Sequence, residues 1–324
     1  MLTPFVRYVL SKSGYTITKI PKHRCKASAP EPAPSSRFLR KILKDPLNPD
    51  FHLLYAEELF KKKRLYLAYA EAKTAVSLAT EAKNADARVQ TYREALPDTI
   101  TLDHNQYFRL FSLSAEIMHQ SKNRSSSVLD VGGGQGELAA FIPEYSYCLA
   151  EPAINGISGT ALPFPDNAFD YSVSCHVLEH IPVKSRERFL DQLLAKSQKG
   201  VILLNPFFIE KTCPDERIRL FLEITGAKWA EEHLDNPLPE IREIQDYAAK
   251  RSLELSIKPN GTSSTSAAYV FMSYFAEKAG QLKELQAINA FFNTRYTHIL
   301  NSHESPNAYL MYLGKGQANS RTSQ

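Results

Sequence analysis

Cysteine is sparse and scattered in this chain. The four cysteines, Cys25, Cys148, Cys175 and Cys213, include no C-x-x-C pair. Neither a thiolate metal site nor a disulfide framework is indicated. Cys148 and Cys175 lie in apolar, strand-like runs and read as core thiols, and this usage fits a reducing, cytoplasmic setting. Long apolar runs are missing as well, so no segment is expected to cross a bilayer. Charged residues interrupt the first apolar stretch early, which argues against a signal peptide.

A strong charge of either sign is also lacking: the net charge is +4 over 324 residues. The bias is local. Arg7, Lys12, Lys19, Lys22, Arg24 and Lys26 crowd the start of the chain, Arg37, Arg40, Lys41 and Lys44 follow, and Glu31 is the only acid among them. Two readings stand for this basic arm: a segment docked on the protein's own surface, or peripheral contact with an anionic membrane face or acidic glycan carrier. Residues 27–36 are rich in proline and read as an extended linker.

What the chain does have is a glycine loop behind a short apolar run. Val128, Leu129 and Val131 have the pattern of a buried strand, Gly132, Gly134 and Gly136 follow at alternate positions, and Glu137 to Phe141 is helix-compatible. Strand, glycine turn and helix open a nucleotide-type site, because glycine lets backbone approach a ligand without a Cβ in the way. Asp130 narrows the ligand. A carboxylate just before the glycines repels a pyrophosphate and attracts ammonium and sulfonium charge. It disfavours a nicotinamide dinucleotide. Tyr147 to Ala150 reads as the second strand, and Glu151 at its end is placed to accept hydrogen bonds from ribose hydroxyls.

With Asp130 in place, Val128 to Gly136 resembles the first motif of class I S-adenosylmethionine (SAM)-dependent methyltransferases. Ala161 to Asp170 and Val177 to Ile181 resemble the LPFPDxxFD and LEH segments of that family. The resemblance implies an α/β fold, a doubly wound, Rossmann-like, mostly parallel seven-stranded sheet, with a helical region ahead of it. It implies SAM as cofactor, held by Asp130, Gly132, Gly134, Gly136 and Glu151. Ser158, Gly159, Ala161 and Leu162 would surround the adenine, and Cys175 and His176 would face the ligand from a strand end. One departure stands out: the family commonly has an aspartate four positions before the LPF leucine to meet the adenine amino group, and that position is Ser158. His104, Asn105 and Tyr107, on a helix ahead of the loop, are further pocket candidates, with ordinary packing as the competing reading.

The pattern divides the chain into residues 1–100, with the basic arm, the linker and a helical hairpin; 101–314, the methyltransferase-like domain; and a disordered tail, 315–324. In the hairpin, Leu53, Leu54, Ala56, Leu59 and Phe60, then Leu65, Ala68, Tyr69, Ala72 and Val76, recur at helical spacing. The seven strands are expected at 128–131, 147–150, 156–159, 169–175, 200–204, 253–257 and 308–313. The connection after Glu151 is too short for a crossover helix. A helical insertion, about 263–302, separates the last two strands and fits a substrate lid.

Methyl transfer from a sulfonium is an in-line displacement in which alignment and proximity do most of the work. No metal is required, and sequence spacing gathers no metal ligands. An oxygen acceptor is helped by a general base, for which His176 is the first candidate, then His180 and His233. The shortened second crossover, Pro206 to Phe208 and Glu232 to Asp235 resemble bacterial methyltransferases of glycan and cell-surface polysaccharide synthesis, which implies a small-molecule or glycan hydroxyl as acceptor. Nucleic acid is disfavoured: Asn205 to Phe208 only approaches the motif of enzymes that methylate base amino groups, and follows the fifth strand instead of the fourth. The alternative is a catalytically silent methyltransferase-like module acting in assembly or carrier binding.

Overall fold

The computed structural model describes residues 36–79, 85–121, 125–209, 214–297, 301 and 303–316. The start of the expected basic arm, most of the linker, Cys25, Cys213 and the tail from residue 317 lie outside them, whereas Arg37, Arg40, Lys41 and Lys44 lie within them. The described residues all fall in one compact unit, so the hairpin assigned to residues 1–100 packs in the same body as the sheet. No helix among the described residues is long and apolar enough to cross a membrane.

The chain enters through α1 (Arg37–Ile42), α2 (Pro49–Lys61), α3 (Leu65–Leu78) and α4 (Ala85–Glu94). Asn48 caps α2 by accepting from the Asp50 N–H, and Pro49 at the first helical position has no N–H to leave unpaired. The helix α5 (His104–Gln120), capped by Asp103, then leads into β1 (Ser127–Val131), the short α6 (Leu138–Phe141) and β2 (Ser146–Ala150). After β3 (Phe169–Cys175) come α7 (Val183–Lys196), β4 (Ser197–Asn205), α8 (Pro214–Thr225), α9 (Lys228–Asp235), α10 (Ile241–Lys250) and β5 (Glu254–Asn260). The pair α11 (Ser263–Lys278) and α12 (Leu282–Arg295) precedes β6 (Ala308–Gly314), as the helical pattern there predicts.

The described sheet has six strands in the order β2-β1-β3-β4-β6-β5, not the expected seven. It is also mixed: β2, β1, β3 and β4 run parallel, and β6 is antiparallel to both β4 and β5. The reversal has a simple cause. The chain leaves β5 at Asn260, passes through α11 and α12, and re-enters at Ala308, which is paired with Asn260. Both ends of the helical insertion lie at one end of the sheet, so β6 must run back.

The missing strand is the one expected at 156–159, which is a loop. Gly156 has φ +75°, and Asn155 binds the loop down: its Nδ2 donates to the Leu149 carbonyl at 2.9 Å and its Oδ1 accepts from the Glu151 N–H at 3.0 Å. Helix α3 occupies the edge of β2 instead. The outward N–H of Leu149 donates to Thr74 Oγ1 at 2.9 Å. A bare strand edge is thereby covered by a helix side chain.

Alternating strand residues feed two cores. Val128, Tyr147, Leu149 and Val173 face α2, α3 and α5, where Tyr55, Tyr69, Leu113 and Ile117 are almost wholly buried. Leu129, Val131, Leu203 and Met311 face the opposite layer, with Phe189 and Leu193 of α7 and Ile244 of α10.

Candidate active site

The glycine loop is held from below and from one side. Gly132 has φ +76° and donates its N–H to the Ala150 carbonyl at 2.8 Å; a Cβ there would meet Val177 at 2.3 Å. Gly136 also has φ +76°, and a Cβ on it would sit 2.5 Å from the Cβ of Ala70 on α3. Gly134 differs. It is exposed, and a Cβ there would meet nothing within 4 Å, so a ligand can approach the loop from this side.

Glu151 lies opposite that opening. Its carboxylate accepts from the Gly134 N–H at 3.1 Å and the Ala153 N–H at 3.1 Å. A carboxylate oxygen has two acceptor sites, so capacity for ribose hydroxyls remains. The loop behind it is anchored to the hairpin: Asn155 Nδ2 donates to Glu71 at 2.9 Å, and Glu71 pairs with His52 at 2.6 Å. Burial opposes charge on His52, but the adjoining Glu71 carboxylate outweighs it and raises the imidazole pKa. Asn155, Glu71 and His52 were not among the sequence candidates, because they support Glu151 from up to a hundred residues away.

Asp130 points into the core. It is 1% exposed, and the hydroxyl of Tyr147 donates to its carboxylate at 2.7 Å. Burial pushes its pKa up to about 7 against the opposing pull of that hydrogen bond. Its carboxylate lies directly beneath Gly133, whose Cβ would come within 2.3 Å of it. The carboxyl group is therefore separated from the loop's outer surface by the thickness of the backbone.

The candidates around the adenine are spread over a bend. Ser158 is exposed and bonded to its neighbour Thr160, with the hydroxyls 3.1 Å apart. Gly159 is packed under Phe189 and Val131, where a Cβ would clash. Ala161 is exposed. The N–H of Leu162 is already given to Gln192 at 3.0 Å, and its side chain is buried. Cys175 is a thiol whose pKa burial pushes up to about 12, so it is a packing group and not a nucleophile.

Beyond the end of β3 the fold opens a cavity of about 400 Å3. The carboxyl ends of β3 and β4 supply His176, Glu179, His180 and Phe207 to its wall; α5 supplies Asn105 and Arg109. Arg217 of α8, His233 of α9 and Ser266 of α11 close the far side. The LEH segment forms a single 3-10 turn, Leu178–His180. His176, just before it, has φ +56°, an uncommon conformation for a residue with a Cβ and one that recurs at functional sites. Its Nε2 is buried and has no hydrogen-bond partner in the described structure. Burial, and then the charge of Arg109, lower its pKa to about 4.

Glu179 is fully buried beneath this wall. Asn205 Nδ2 donates to Glu179 Oε2, while Nδ1 of His176 stands 3.2 Å from Oε1. His180 and His233 meet edge to face, with ring centroids 4.8 Å apart. All three histidines proposed as bases thus line one cavity. Of the pocket candidates on α5, Asn105 lines it, while His104 is buried with its Nδ1 2.6 Å from Asn293 Oδ1. Tyr107 packs instead against Phe111 and Phe141. Glu179, Arg109 and Arg217 were missed in the sequence; for Glu179, the signal was its place between Leu178 and His180.

Residues 102–255 match the family model described as a methyltransferase domain. That span runs from just ahead of α5 to the start of β5, so the hairpin and the α11–α12 insertion lie outside it. Among solved structures, the YcgJ protein from Bacillus subtilis is similar at 16% identity over 63% of this chain and 97% of its own, with a TM-score of 0.39. A SAM-dependent methyltransferase from Thermotoga maritima, described as a possible histamine N-methyltransferase, is similar at 12% identity over 72% of this chain and all of its own, with a TM-score of 0.41. A Haemonchus contortus phosphoethanolamine N-methyltransferase 2 is similar at 12% identity over 63% of this chain and 52% of its own, with a TM-score of 0.37. No curated protein matches the chain. From the family match and the glycine loop, the chain carries a SAM-dependent methyltransferase domain.

Proposed function

We propose that the protein transfers a methyl group from SAM to a hydroxyl oxygen of a small-molecule or glycan acceptor seated in the cavity beyond β3 and β4. The observation that carries this is the cavity itself: it adjoins the strand ends where open α/β sheets place their ligands, and its wall combines apolar and polar groups. The cofactor is assigned to the exposed face of the loop at Gly134 and Glu151, with Gly132 and Gly136 shaping the loop and Ser158 to Leu162 beside the adenine.

In the step, the acceptor oxygen attacks the methyl carbon in line with the sulfonium. A C–O bond forms as the C–S bond breaks, and S-adenosylhomocysteine departs as a neutral thioether. The acceptor proton passes to Nε2 of His176, a residue that lines the cavity. His180 and His233 are assigned to the acceptor side. Arg109 and Arg217 place positive charge in the wall, which favours an acceptor carrying phosphate or carboxylate, as activated sugars do.

The test is transfer of deuterated methyl from SAM to a panel of free sugars, sugar phosphates and nucleotide sugars, read by mass spectrometry. A methyl ether formed preferentially on phosphorylated sugars, with KM raised in Arg109→Ala, supports the reading. Methylation only of amines, by protein that binds S-adenosylhomocysteine, overturns it.

A further inference from the structure

We infer that Glu179, His180 and His233 form a binding site for one divalent transition-metal cation in the wall of the acceptor cavity. One donor atom from each lies within 4.8 Å of the others. Around a cation about 2.1 Å from each ligand, neighbouring donors stand roughly 3–3.5 Å apart, a separation that small side-chain rotations reach from here. Glu179 and His180 come from the 3-10 turn, and His233 is brought across by α9, so the set is invisible to sequence spacing.

A second observation points to a cation independently of the clustering. Glu179 is wholly buried, Oε2 accepts from Asn205, yet Oε1 is buried with no hydrogen-bond donor in proper geometry. The nearby His176 Nδ1 makes a close polar contact with it at 3.2 Å but is not aligned for a hydrogen bond. A buried carboxylate oxygen without a partner is costly. A cation held by Oε1 and two imidazoles removes that cost, and Asn205 then serves as the outer partner that orients the carboxylate.

Two neutral imidazoles and one carboxylate suit borderline first-row ions better than magnesium or calcium, which favour all-oxygen shells. Three protein ligands leave positions open towards the cavity. An acceptor hydroxyl bound there would be acidified by the ion. That consequence rests on the acceptor reading of the cavity, whereas cation binding does not.

The test is titration of the full chain with cobalt(II) chloride, followed by visible absorption and by metal analysis after gel filtration. One equivalent per chain with ligand-field bands is expected. Loss of even a supporting partner of a metal ligand costs about 10–100-fold in affinity, so His180→Ala and His233→Ala are each expected to weaken binding at least about a hundredfold. S-adenosylhomocysteine affinity, measured by calorimetry on the same variants, should stay unchanged, which certifies their fold. Absence of stoichiometric binding, or binding unaltered in the double variant, overturns the site. Cobalt bound without methyl transfer to any sugar overturns the acceptor reading and leaves the site standing; transfer without cobalt binding does the reverse.

Discussion

Thr74, on the second helix of the hairpin, accepts the outward-facing N–H of Leu149, on the edge strand of the sheet, at 2.9 Å. Both residues are buried, so the bond is the only protection that this edge amide has from desolvation within its surroundings as described. Thr74→Val keeps the shape and removes the acceptor. A buried donor left unmade costs about 1–3 kcal/mol. Denaturant unfolding of Thr74→Val should show a loss of that size, and Thr74→Ser should recover most of it.

The same helix touches the glycine loop. Ala70 is fully buried, and the position of a Gly136 Cβ would lie 2.5 Å from its methyl. Ala70→Leu should push on Gly136 and reshape the loop from behind. Overpacking of this kind costs about 1–3 kcal/mol. The expected outcome is weaker S-adenosylhomocysteine binding in calorimetry by a protein that still melts cooperatively. Gly134→Arg, whose side chain would project into open space from a backbone at φ +55°, should weaken binding and cost about 1–2 kcal/mol of stability, whereas Glu151→Ala should weaken binding with little change in melting temperature.

Asp130 sets a pH dependence of stability. Its folded-state pKa is raised to about 7, burial being the cause. The native state therefore holds a proton that the unfolded chain gives up near its ordinary value, and stability falls as pH rises between those limits. A shift of about three units corresponds to roughly 4 kcal/mol. Urea unfolding from pH 4 to 7 should show this decline, and Asp130→Asn should flatten it. Cationic SAM nearby favours the ionised form, so binding at pH 6 should release protons, read as a dependence of the calorimetric enthalpy on buffer ionisation.

Lys73 acts in the opposite direction at higher pH. Burial lowers its pKa to about 7, although its Nζ donates to the carbonyls of Ile142 and Pro143 at 3.1 and 2.9 Å. Between pH 7 and the ordinary lysine range the unfolded chain binds the extra proton, so stability should rise with pH. Lys73→Met should remove that rise in unfolding measurements from pH 7 to 10.

The sequence exposed those parts of the site that depend on local geometry. Gly132, Gly134 and Gly136 announce a turn because no other residue adopts their backbone cheaply, and Glu151 follows a recognisable strand. The helices of the hairpin and of the insertion were legible from apolar spacing. The loop at 156–159 was not, since what prevents a strand there is Asn155 bonded to Leu149 and Glu71, and Thr74 already occupying the edge. The direction of β6 was hidden for a related reason: apolar alternation is the same whichever way a strand runs. His233 reads as one histidine in a polar helix until α9 sets it against His180.

Covering the β2 edge has a consequence for how copies of this molecule can associate. At the other end of the described sheet the terminal strand is β5. There Pro259 has no N–H to offer, and Lys258 places a charge beside it, held to Glu116 at 2.7 Å. Continuation of the sheet from one molecule into the next is blocked at the β2 end by a helix and blunted at the β5 end by these two residues. Among the described residues, the sheet is therefore poorly suited to grow by adding a strand at either end.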